Sequence, residues 1–235
     1  MKIWALADLH LSFGAPAKNM DVFGENWHGY AEKIEASCKK LISKDDLLLI
    51  AGDISWALKL EEAKPDLEWI EKLPGTKVMI RGNHDYWWSS PTKVRKALGK
   101  NTHIIQHDVF MWHDIAIGGT RLWDCPDLSP PLLEDEGMNQ EKLWQRELGR
   151  LEISLQAMPK DAKRKIVMVH YPPTNIDLVS TGATELFERY KVDVCIFGHL
   201  HAIQKGPALW GEKAGVKYFL TASDYLDFCP IEIVL

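Results

Sequence analysis

The sequence predicts an α/β fold that contains a mixed sheet. Short apolar runs bounded by turn formers alternate with helical patterns along most of the 235 residues, and this alternation is typical of α/β proteins. The runs keep no clean two-residue alternation, which indicates strands covered on both faces. In residues 104–119, strand patterns follow one another without a helix between them, so we expect a mixed sheet. The length fits one domain, residues 1–235.

Eight runs are predicted as strands because each has strand length and ends at a turn former. They are, in chain order, KIWALA at 2–7, DLLLIA at 46–51, KVMIR at 77–81, IAIGG at 115–119, KIVMVH at 165–170, DVCIFGH at 193–199, VKYFLTA at 216–222 and IEIVL at 231–235.

Four helices are predicted between these runs. Apolar residues share one face in residues 31–42 (Ile34, Cys38 and Leu41) and in residues 139–157 (Trp144, Leu148, Leu151 and Leu155). Residues 60–73 form a third helix, in which Pro65 is expected to mark the first turn or a break. Ser90 and Pro91 are typical of the N-cap and first residue of a fourth. The long segments 11–28 and 120–138 resemble functional loops, and we expect residues 11–30 and 120–145 to shape a substrate pocket.

Composition and charge exclude several classes of protein. Hydrophobic residues make up 46% and charged residues 26% of the chain, which is ordinary for a soluble globular protein. The net charge of -5 gives no support for nonspecific binding to nucleic acid or to an anionic membrane. No apolar stretch approaches the roughly 20 residues that span a bilayer, and the N-terminus does not resemble a signal peptide. Four widely spaced cysteines indicate free thiols and a cytoplasmic location.

Polar side chains follow five of the predicted strands, at the point where each strand ends. They are Asp8 and His10, Asp53, the run Asn83, His84 and Asp85, His170, and the pair His199 and His201. In open α/β sheets, ligands bind beyond the carboxyl ends of the strands. Because residues i and i+2 of an extended chain point to the same side, both members of each spaced pair are expected to reach one site.

The residue types at these strand ends are those of a metal centre. Imidazoles, carboxylates and one amide without a thiolate suit manganese, iron, zinc or cobalt better than calcium or a structural zinc. The seven candidate ligands are Asp8, His10, Asp53, Asn83, His170, His199 and His201. They are too many for one ion, whereas two divalent ions that share a carboxylate would use them all. Manganese is the ion that we expect, with iron, zinc, cobalt and nickel as alternatives.

The blocks D-x-H, G-D, G-N-H-D, a lone histidine and G-H-x-H, in that order from Asp8 to His201, resemble the calcineurin-like metallophosphoesterase superfamily. The resemblance implies the metallo-dependent phosphatase fold, in which two mixed sheets pack face to face with flanking helices. It also implies two sets of ligands that share one residue. The first metal would be held by Asp8, His10, Asp53 and His201, and the second by Asp53, Asn83, His170 and His199.

The function that we expect is hydrolysis of a phosphoester by in-line attack of a metal-bound hydroxide. His84 is the candidate general acid for the leaving group, and Asp85 is expected to orient its imidazole or to stabilise its charged form. Candidates for substrate binding are Arg121, Trp87 and His28. The substrate is expected to be a small molecule or a nucleotide, with nucleic acid possible only as a substrate and no membrane partner.

A phosphodiesterase is the leading hypothesis within this class. The run GDISWAL, which begins at Gly52, lacks the arginine of the GDxxDRG block typical of protein phosphatases. His84 disfavours the lipid-pathway pyrophosphatases, which usually have GNRD. The alternatives are a phosphomonoesterase acting on small metabolites and a scaffold without enzyme activity. A scaffold would be expected to have lost ligands or the acid histidine, and here every position is filled.

Overall fold

The computed structural model describes residues 1–129 and 134–235. Its central strands have two buried faces, as the absence of clean alternation predicts. In β1 (Ile3–Leu6), Ile3 and Ala5 point into the space between two sheets, whereas Trp4 and Leu6 point outward against helices. This division continues in the neighbouring strands, so the two sheets enclose one apolar layer and each has a further layer on its outer face.

The first sheet has five strands in the order β11-β1-β2-β3-β4. β1 to β4 are mutually parallel, and β11 runs antiparallel beside β1. The bounds are β2 (Leu47–Ile50), β3 (Thr76–Met79), β4 (Thr102–Ile104) and β11 (Ile231–Glu232). Since the four parallel strands share one direction, the loops that follow them lie at one edge of this sheet.

The second sheet has six strands in the order β5-β6-β7-β8-β10-β9. Its inner four strands are parallel, and the outermost strand on each side is antiparallel to its neighbour. The bounds are β5 (Val109–Trp112), β6 (Ile115–Thr120), β7 (Arg164–Val169), β8 (Val194–Phe197), β9 (Leu209–Lys213) and β10 (Val216–Leu220). The prediction of two mixed sheets packed face to face is therefore confirmed.

Five helices in the described part of the chain flank the sheets. They are α1 (Tyr30–Leu41), α2 (Leu60–Lys72), α3 (Pro91–Ala97), α4 (Glu134–Ala157) and α5 (Gly182–Arg189). The cap of α3 is as predicted, because the Ser90 hydroxyl accepts the amide of Lys93 and Pro91 is the first helical residue. None of the described helices combines the length and the apolar composition needed to cross a membrane.

Three details of the helices differ from the sequence predictions. Pro65 lies inside α2 without ending it, because Ala63, Leu67 and Ile70 bury one face of this helix against the first sheet. α4 extends from Glu134 to Ala157, so residues 134–138 of the segment predicted as a loop lie in this helix. The short α5 was not predicted. Part of the predicted loop 120–138, residues 130–133, lies outside the described residues.

Candidate metal centre

Five strand ends meet at one edge of the two sheets and bring the motif residues together. Backbone hydrogen bonds join the loops: the amide of Asp8 donates to the carbonyl of Gly52 at 2.9 Å, and the amide of Gly198 donates to the carbonyl of His170 at 3.2 Å. The first bond lies within one sheet, between the loops after β1 and β2, and the second lies within the other, between those after β7 and β8. Asp8 itself links the two sheets, because its carboxylate accepts the amide of His199 at 3.0 Å.

The backbone is held in a costly conformation at four of the candidate ligands. Asp8, His10, Asp53 and His199 have positive φ angles of 57°, 45°, 51° and 71°. Non-glycine residues adopt this left-handed region at a cost of about 1–3 kcal/mol each, and such residues cluster at functional sites. The expectation that an extended backbone aims Asp8 and His10 to one side is therefore wrong in its reason, since a left-handed backbone aims them.

The first group of side chains contains Asp8, His10 and His201. The Nε2 atoms of His10 and His201 lie 3.2 Å apart, and Nε2 of His201 lies 3.5 Å from Oδ1 of Asp8. Their ligand atoms lie close enough together to hold one metal ion. Asp8 and His10 are buried, whereas the His201 side chain is 32% exposed, so His201 faces the open side of this group.

The second group surrounds the amide oxygen of Asn83. This oxygen lies 2.7 Å from Nε2 of His170 and 3.0 Å from Nδ1 of His199. The other ring nitrogen of His170, Nδ1, lies 3.0 Å from the carbonyl oxygen of Ala51. A proton on Nδ1 would therefore be donated to that carbonyl, which leaves the lone pair of Nε2 directed at the group.

Asp53 lies between the two groups. Its Oδ2 atom is 3.7 Å from Nε2 of His10 in the first group and 3.4 Å from Nε2 of His170 in the second. Its Oδ1 atom accepts the backbone amide of His84 at 2.8 Å, which fixes the carboxylate orientation. A single buried carboxylate thus faces the imidazoles of both groups.

The charges of the buried groups show what kind of ligand this centre fits. Burial alone would raise the pKa of Asp53, but the neighbouring His170 and His10 imidazoles lower it below its usual range. Burial likewise acts to lower the pKa of His170, yet the Asp53 and Asp8 carboxylates outweigh it and raise this pKa to about 9. Protons on imidazoles therefore balance the carboxylates in this structure. Divalent cations would satisfy the same oxygen and nitrogen atoms directly, so the donor set fits metal ions.

Two motif glycines leave space for the carboxylates. A Cβ atom on Gly82 would collide with Oδ1 of Asp53, and one on Gly198 would collide with Oδ2 of Asp8. Neither glycine has a positive φ, so neither is needed for a left-handed turn. Their role is close approach, since any side chain there would displace a candidate ligand.

Asp85 does not take the position that the sequence analysis expected. Its buried carboxylate accepts the backbone amides of Gly82, Ile54 and Ser55 at 2.7, 2.9 and 3.1 Å, and the indole N–H of Trp87 at 2.9 Å. Among the described residues, no hydrogen bond joins Asp85 to His84. The predicted orientation of the His84 imidazole by Asp85 is therefore wrong, because these four donors occupy the carboxylate.

His84 stands at the mouth of the first group. Its half-buried ring lies 4.4 Å from the ring of Trp56 and 5.6 Å from that of His10, measured between centroids. Burial lowers the pKa of His84 from its ordinary value. The ring is thus packed and oriented by an aromatic neighbour, and it faces the candidate metal centre from outside the two ligand groups.

The sequence analysis missed three residues that hold the centre in place. The carboxylate of Asp224 lies 2.8 Å from Nδ1 of His201, while Trp27 and Trp56 pack against the ring of His10 at centroid distances of 6.0 and 4.9 Å. Asp224 comes shortly after β10 in the run TASDY. A polar residue after a strand was the signal used for the other motifs, so the same rule could have found it.

The three predicted substrate-binding residues do not share one pocket. Trp87 is 1% exposed and lies in the core beneath the loop, so its prediction as a pocket residue is wrong. His28 is exposed and follows a short 3-10 turn. Arg121 packs its guanidinium over the ring of Trp123 and lies 4.0 Å from the buried carboxylate of Glu147. Its charge is therefore directed partly toward Glu147.

Comparisons with known proteins agree with this architecture. The model of the calcineurin-like phosphoesterase family matches residues 1–202. No curated protein matches the sequence. Among solved structures, the chain is similar to the phosphopantetheinyl hydrolase PptH from Mycobacterium tuberculosis (14% identity, 99% of this chain and 95% of that one, TM-score 0.63). It is also similar to the protein of unknown function AQ665 from Aquifex aeolicus (16% identity, 98% and 95%, TM-score 0.50).

At such low identity the two solved structures show a shared fold alone. The family match covers most of the chain and includes all seven candidate ligands. The chain therefore belongs to the calcineurin-like phosphoesterase family.

Proposed function

We propose that this protein is a phosphoester hydrolase that depends on two metal ions, and that its substrates are phosphodiesters. The observation that carries the proposal is the position of Asp53, whose Oδ2 atom faces His10 on one side and His170 on the other. A carboxylate in this position can bridge two ions, and two ions form a clamp suited to phosphoryl transfer.

The proposed ligands follow the two groups of side chains. Asp8, His10 and His201 would hold one ion and Asn83, His170 and His199 the other, with Asp53 shared. Manganese suits this mixture of imidazole nitrogens and oxygens, as do iron, zinc, cobalt and nickel. When bound, the ions would polarise the phosphoryl oxygens and lower the pKa of a bound water.

His84 is the proposed general acid. Its ring lies at the mouth of the first group against Trp56, within reach of a substrate whose phosphate occupies the centre. Since burial lowers its pKa, its protonated form is a stronger acid than an exposed imidazolium, which favours transfer of the proton to a departing alkoxide. Asp85 would position the loop that carries Asn83 and His84, without touching the substrate.

A reducing compartment such as the cytoplasm suits the cysteines. All four are free, and Cys38, Cys125 and Cys195 are buried within the fold. This location is part of the proposal.

The test is a comparison of two chromogenic esters with manganese-reconstituted protein. We expect bis-(p-nitrophenyl) phosphate to be hydrolysed faster than p-nitrophenyl phosphate, and a chelator to abolish both activities. A preference for the monoester would replace the proposal with a phosphomonoesterase acting on small metabolites. Two bound ions with no activity on either ester would favour a scaffold. A protein that binds no metal would contradict the proposed centre itself.

A further inference from the structure

An apolar pocket adjoins the candidate metal centre on the side of His199. Its volume is about 570 Å³, which is within the ~300–1,000 Å³ typical of pockets that hold drug-sized ligands. His199 contributes to its wall as well as to the second ligand group, where its Nδ1 atom faces Asn83. A substrate whose phosphate lies at the centre can therefore extend directly into this pocket.

The walls of this pocket come from four segments. They are the segment after β6, the segment after β7, the segment from the end of β8 into β9, and the segment after β10, which contributes Tyr225. The apolar side chains that line it are Leu128, Ile176, Leu200, Ile203, Leu209 and Trp210. Ile176 is 64% exposed and Leu209 is 41% exposed. Large apolar side chains in a concave site beside a reactive centre are typical of ligand binding.

The three hydroxyl groups of the wall are already used by the protein, and its other polar side chains are those of Asp124, Asn175, His199 and Gln204. The hydroxyl of Thr174 donates to the carbonyl of Val179 at 2.7 Å, and that of Ser129 donates to the carbonyl of Cys125 at 2.9 Å. The hydroxyl of Tyr225 donates to the carbonyl of Pro207 at 3.0 Å. These hydroxyl groups already donate their hydrogen bonds within the protein, so the wall offers a ligand mainly apolar contact.

The charge of the wall disfavours a polyanion. None of the described residues that line the pocket is a lysine or an arginine, and Asp124 contributes a carboxyl group. A nucleic-acid strand that continued past the reacting phosphate would place further phosphates against this surface without a cation to pair with them. An uncharged substituent meets no such penalty.

We propose that this pocket binds an uncharged, apolar substituent of the phosphodiester substrate, an alkyl or aryl group rather than a further nucleotide. The inference rests on the proposed function, because it assumes that the phosphate of the substrate lies at the metal centre. It adds the substrate class: phosphodiesters in which one esterified alcohol is apolar.

The experiment uses two homologous series with the manganese-loaded protein. Hydrolysis of methyl, butyl and octyl p-nitrophenyl phosphate measures kcat/KM, and calorimetric titration with methyl-, butyl- and octylphosphonate measures binding without turnover. Each buried methylene is worth roughly a fourfold change. We therefore expect kcat/KM and affinity to rise by at least ~10-fold from the methyl to the butyl compound.

A matched pair of variants places the effect in this pocket. Ile176→Glu puts a charge at the pocket mouth, and Ile153→Glu makes the same change on α4, where Ile153 is 56% exposed. Both positions are exposed, so the variants are expected to fold. The octyl-to-methyl ratio, which cancels any effect of the new charge on the phosphate, should fall several-fold in Ile176→Glu alone.

The outcomes separate this inference from the proposed function. Hydrolysis of the methyl diester without any gain along either series would overturn the apolar pocket and leave the phosphodiesterase intact. A gain in phosphonate affinity without hydrolysis of any diester would overturn the phosphodiesterase and support the pocket. An equal loss of the octyl-to-methyl ratio in both variants would contradict the assignment to this pocket.

Discussion

Two of the loops that carry candidate ligands are fixed in different ways. The GNHD loop, residues 82–85, follows β3 in the first sheet, and the GHLH loop, residues 198–201, follows β8 in the second. Each loop depends on one buried or nearly buried carboxylate. In the first loop this carboxylate belongs to the motif itself, and in the second it comes from a distant part of the chain.

In the GNHD loop, the carboxylate of Asp85 joins two backbone segments through hydrogen bonds. Its carboxylate accepts the amide of Gly82 from its own loop and the amides of Ile54 and Ser55 from the loop after β2. Asp53 precedes these two residues directly. Asp85 therefore sets the distance between the shared carboxylate of Asp53 and the amide of Asn83 without touching either side chain.

In the GHLH loop, Asp224 fastens a ligand imidazole. One of its oxygens lies 2.8 Å from Nδ1 of His201, and the other accepts the amide of Ala202 at 3.0 Å. A carboxylate is a usual outer partner of a metal-bound histidine. When it accepts the proton of Nδ1, the lone pair of Nε2 is directed toward the candidate metal centre. Asp85 therefore anchors the geometry of its loop, whereas Asp224 anchors a ligand and sets its chemistry. Variants of the two loops separate these roles.

The largest effect is expected from Asp53→Asn, because Asp53 faces both groups of candidate ligands. An amide oxygen lacks the negative charge of a carboxylate oxygen, so it should be too weak a ligand to hold two cations together. Each ion supplies several kcal/mol of transition-state stabilisation, and we expect a loss of hydrolysis on the order of 10³-fold or more. Elemental analysis should find fewer than two ions per chain, whereas the exposed Asp161→Asn should keep both. Full metal content in Asp53→Asn would contradict the bridge.

The next effect is expected from His84→Ala, which tests the chemistry of the GNHD loop. If His84 protonates the leaving group, its loss should slow hydrolysis of dialkyl phosphates by about 10²-fold or more. Bis-(p-nitrophenyl) phosphate, whose leaving group needs no acid, should be affected much less. The ratio of the two rates is the measurement, and equal losses on both substrates would remove His84 from this role.

Asp224→Ala tests the anchor of the GHLH loop. Removing the outer partner of a metal-bound histidine typically costs about 10–100-fold in metal affinity. We expect a loss in that range for the ion held by His201, measured by competition with a chromogenic chelator. Asp227→Ala is the matched control, because Asp227 lies in the same segment with a 73% exposed side chain that pairs with Lys205. Equal losses in both variants would mean that the segment as a whole, and not Asp224, matters.

The two loops also show which features of the fold and of the candidate site can be predicted from the sequence. The strand ends could be located because buried apolar runs are easy to recognise and polar residues directly follow them, as at Asp8 and His199. The roles of Asp85 and Asp224 could not be predicted, since a hydrogen bond to a residue far along the chain depends on the packing of the two sheets. The positive φ angles at Asp8 and Asp53 escaped prediction for the same reason, because tertiary contacts impose them against local preference.

Asp85→Asn tests the anchor of the GNHD loop and should act on stability. The amide nitrogen would face the N–H of Gly82, which would lose its acceptor inside the protein. A buried donor left without a partner costs about 1–3 kcal/mol, so urea should unfold the chelator-treated variant at a lower concentration. Asp45→Asn, in an exposed turn, is the control. A variant that lost metal affinity with unchanged stability would show that Asp85, like Asp224, acts on a ligand.

The smallest effect is the release of protons when metal binds. Burial acts to lower the pKa of His201, but its hydrogen bonds to Asp224 and Asp8 outweigh this and raise the pKa to about 10, while that of His170 is about 9. At pH 7 we therefore expect both rings of the metal-free protein to be imidazolium ions, with a proton on each ring nitrogen. A metal ion must displace the proton on Nε2 of each. Metal affinity should therefore rise with pH up to about pH 10, the higher of the two pKa values.

Calorimetry in two buffers of different ionisation enthalpy measures this release, and we expect about one proton from each of His170 and His201 at pH 7. Asp224→Ala removes a hydrogen bond that raises the pKa of His201. That variant should therefore release less at the same pH, whereas Asp85→Asn should release as much as the unmodified chain. If Asp224→Ala and Asp85→Asn released the same number of protons, Asp224 would not act on ligand chemistry in a way that Asp85 does not.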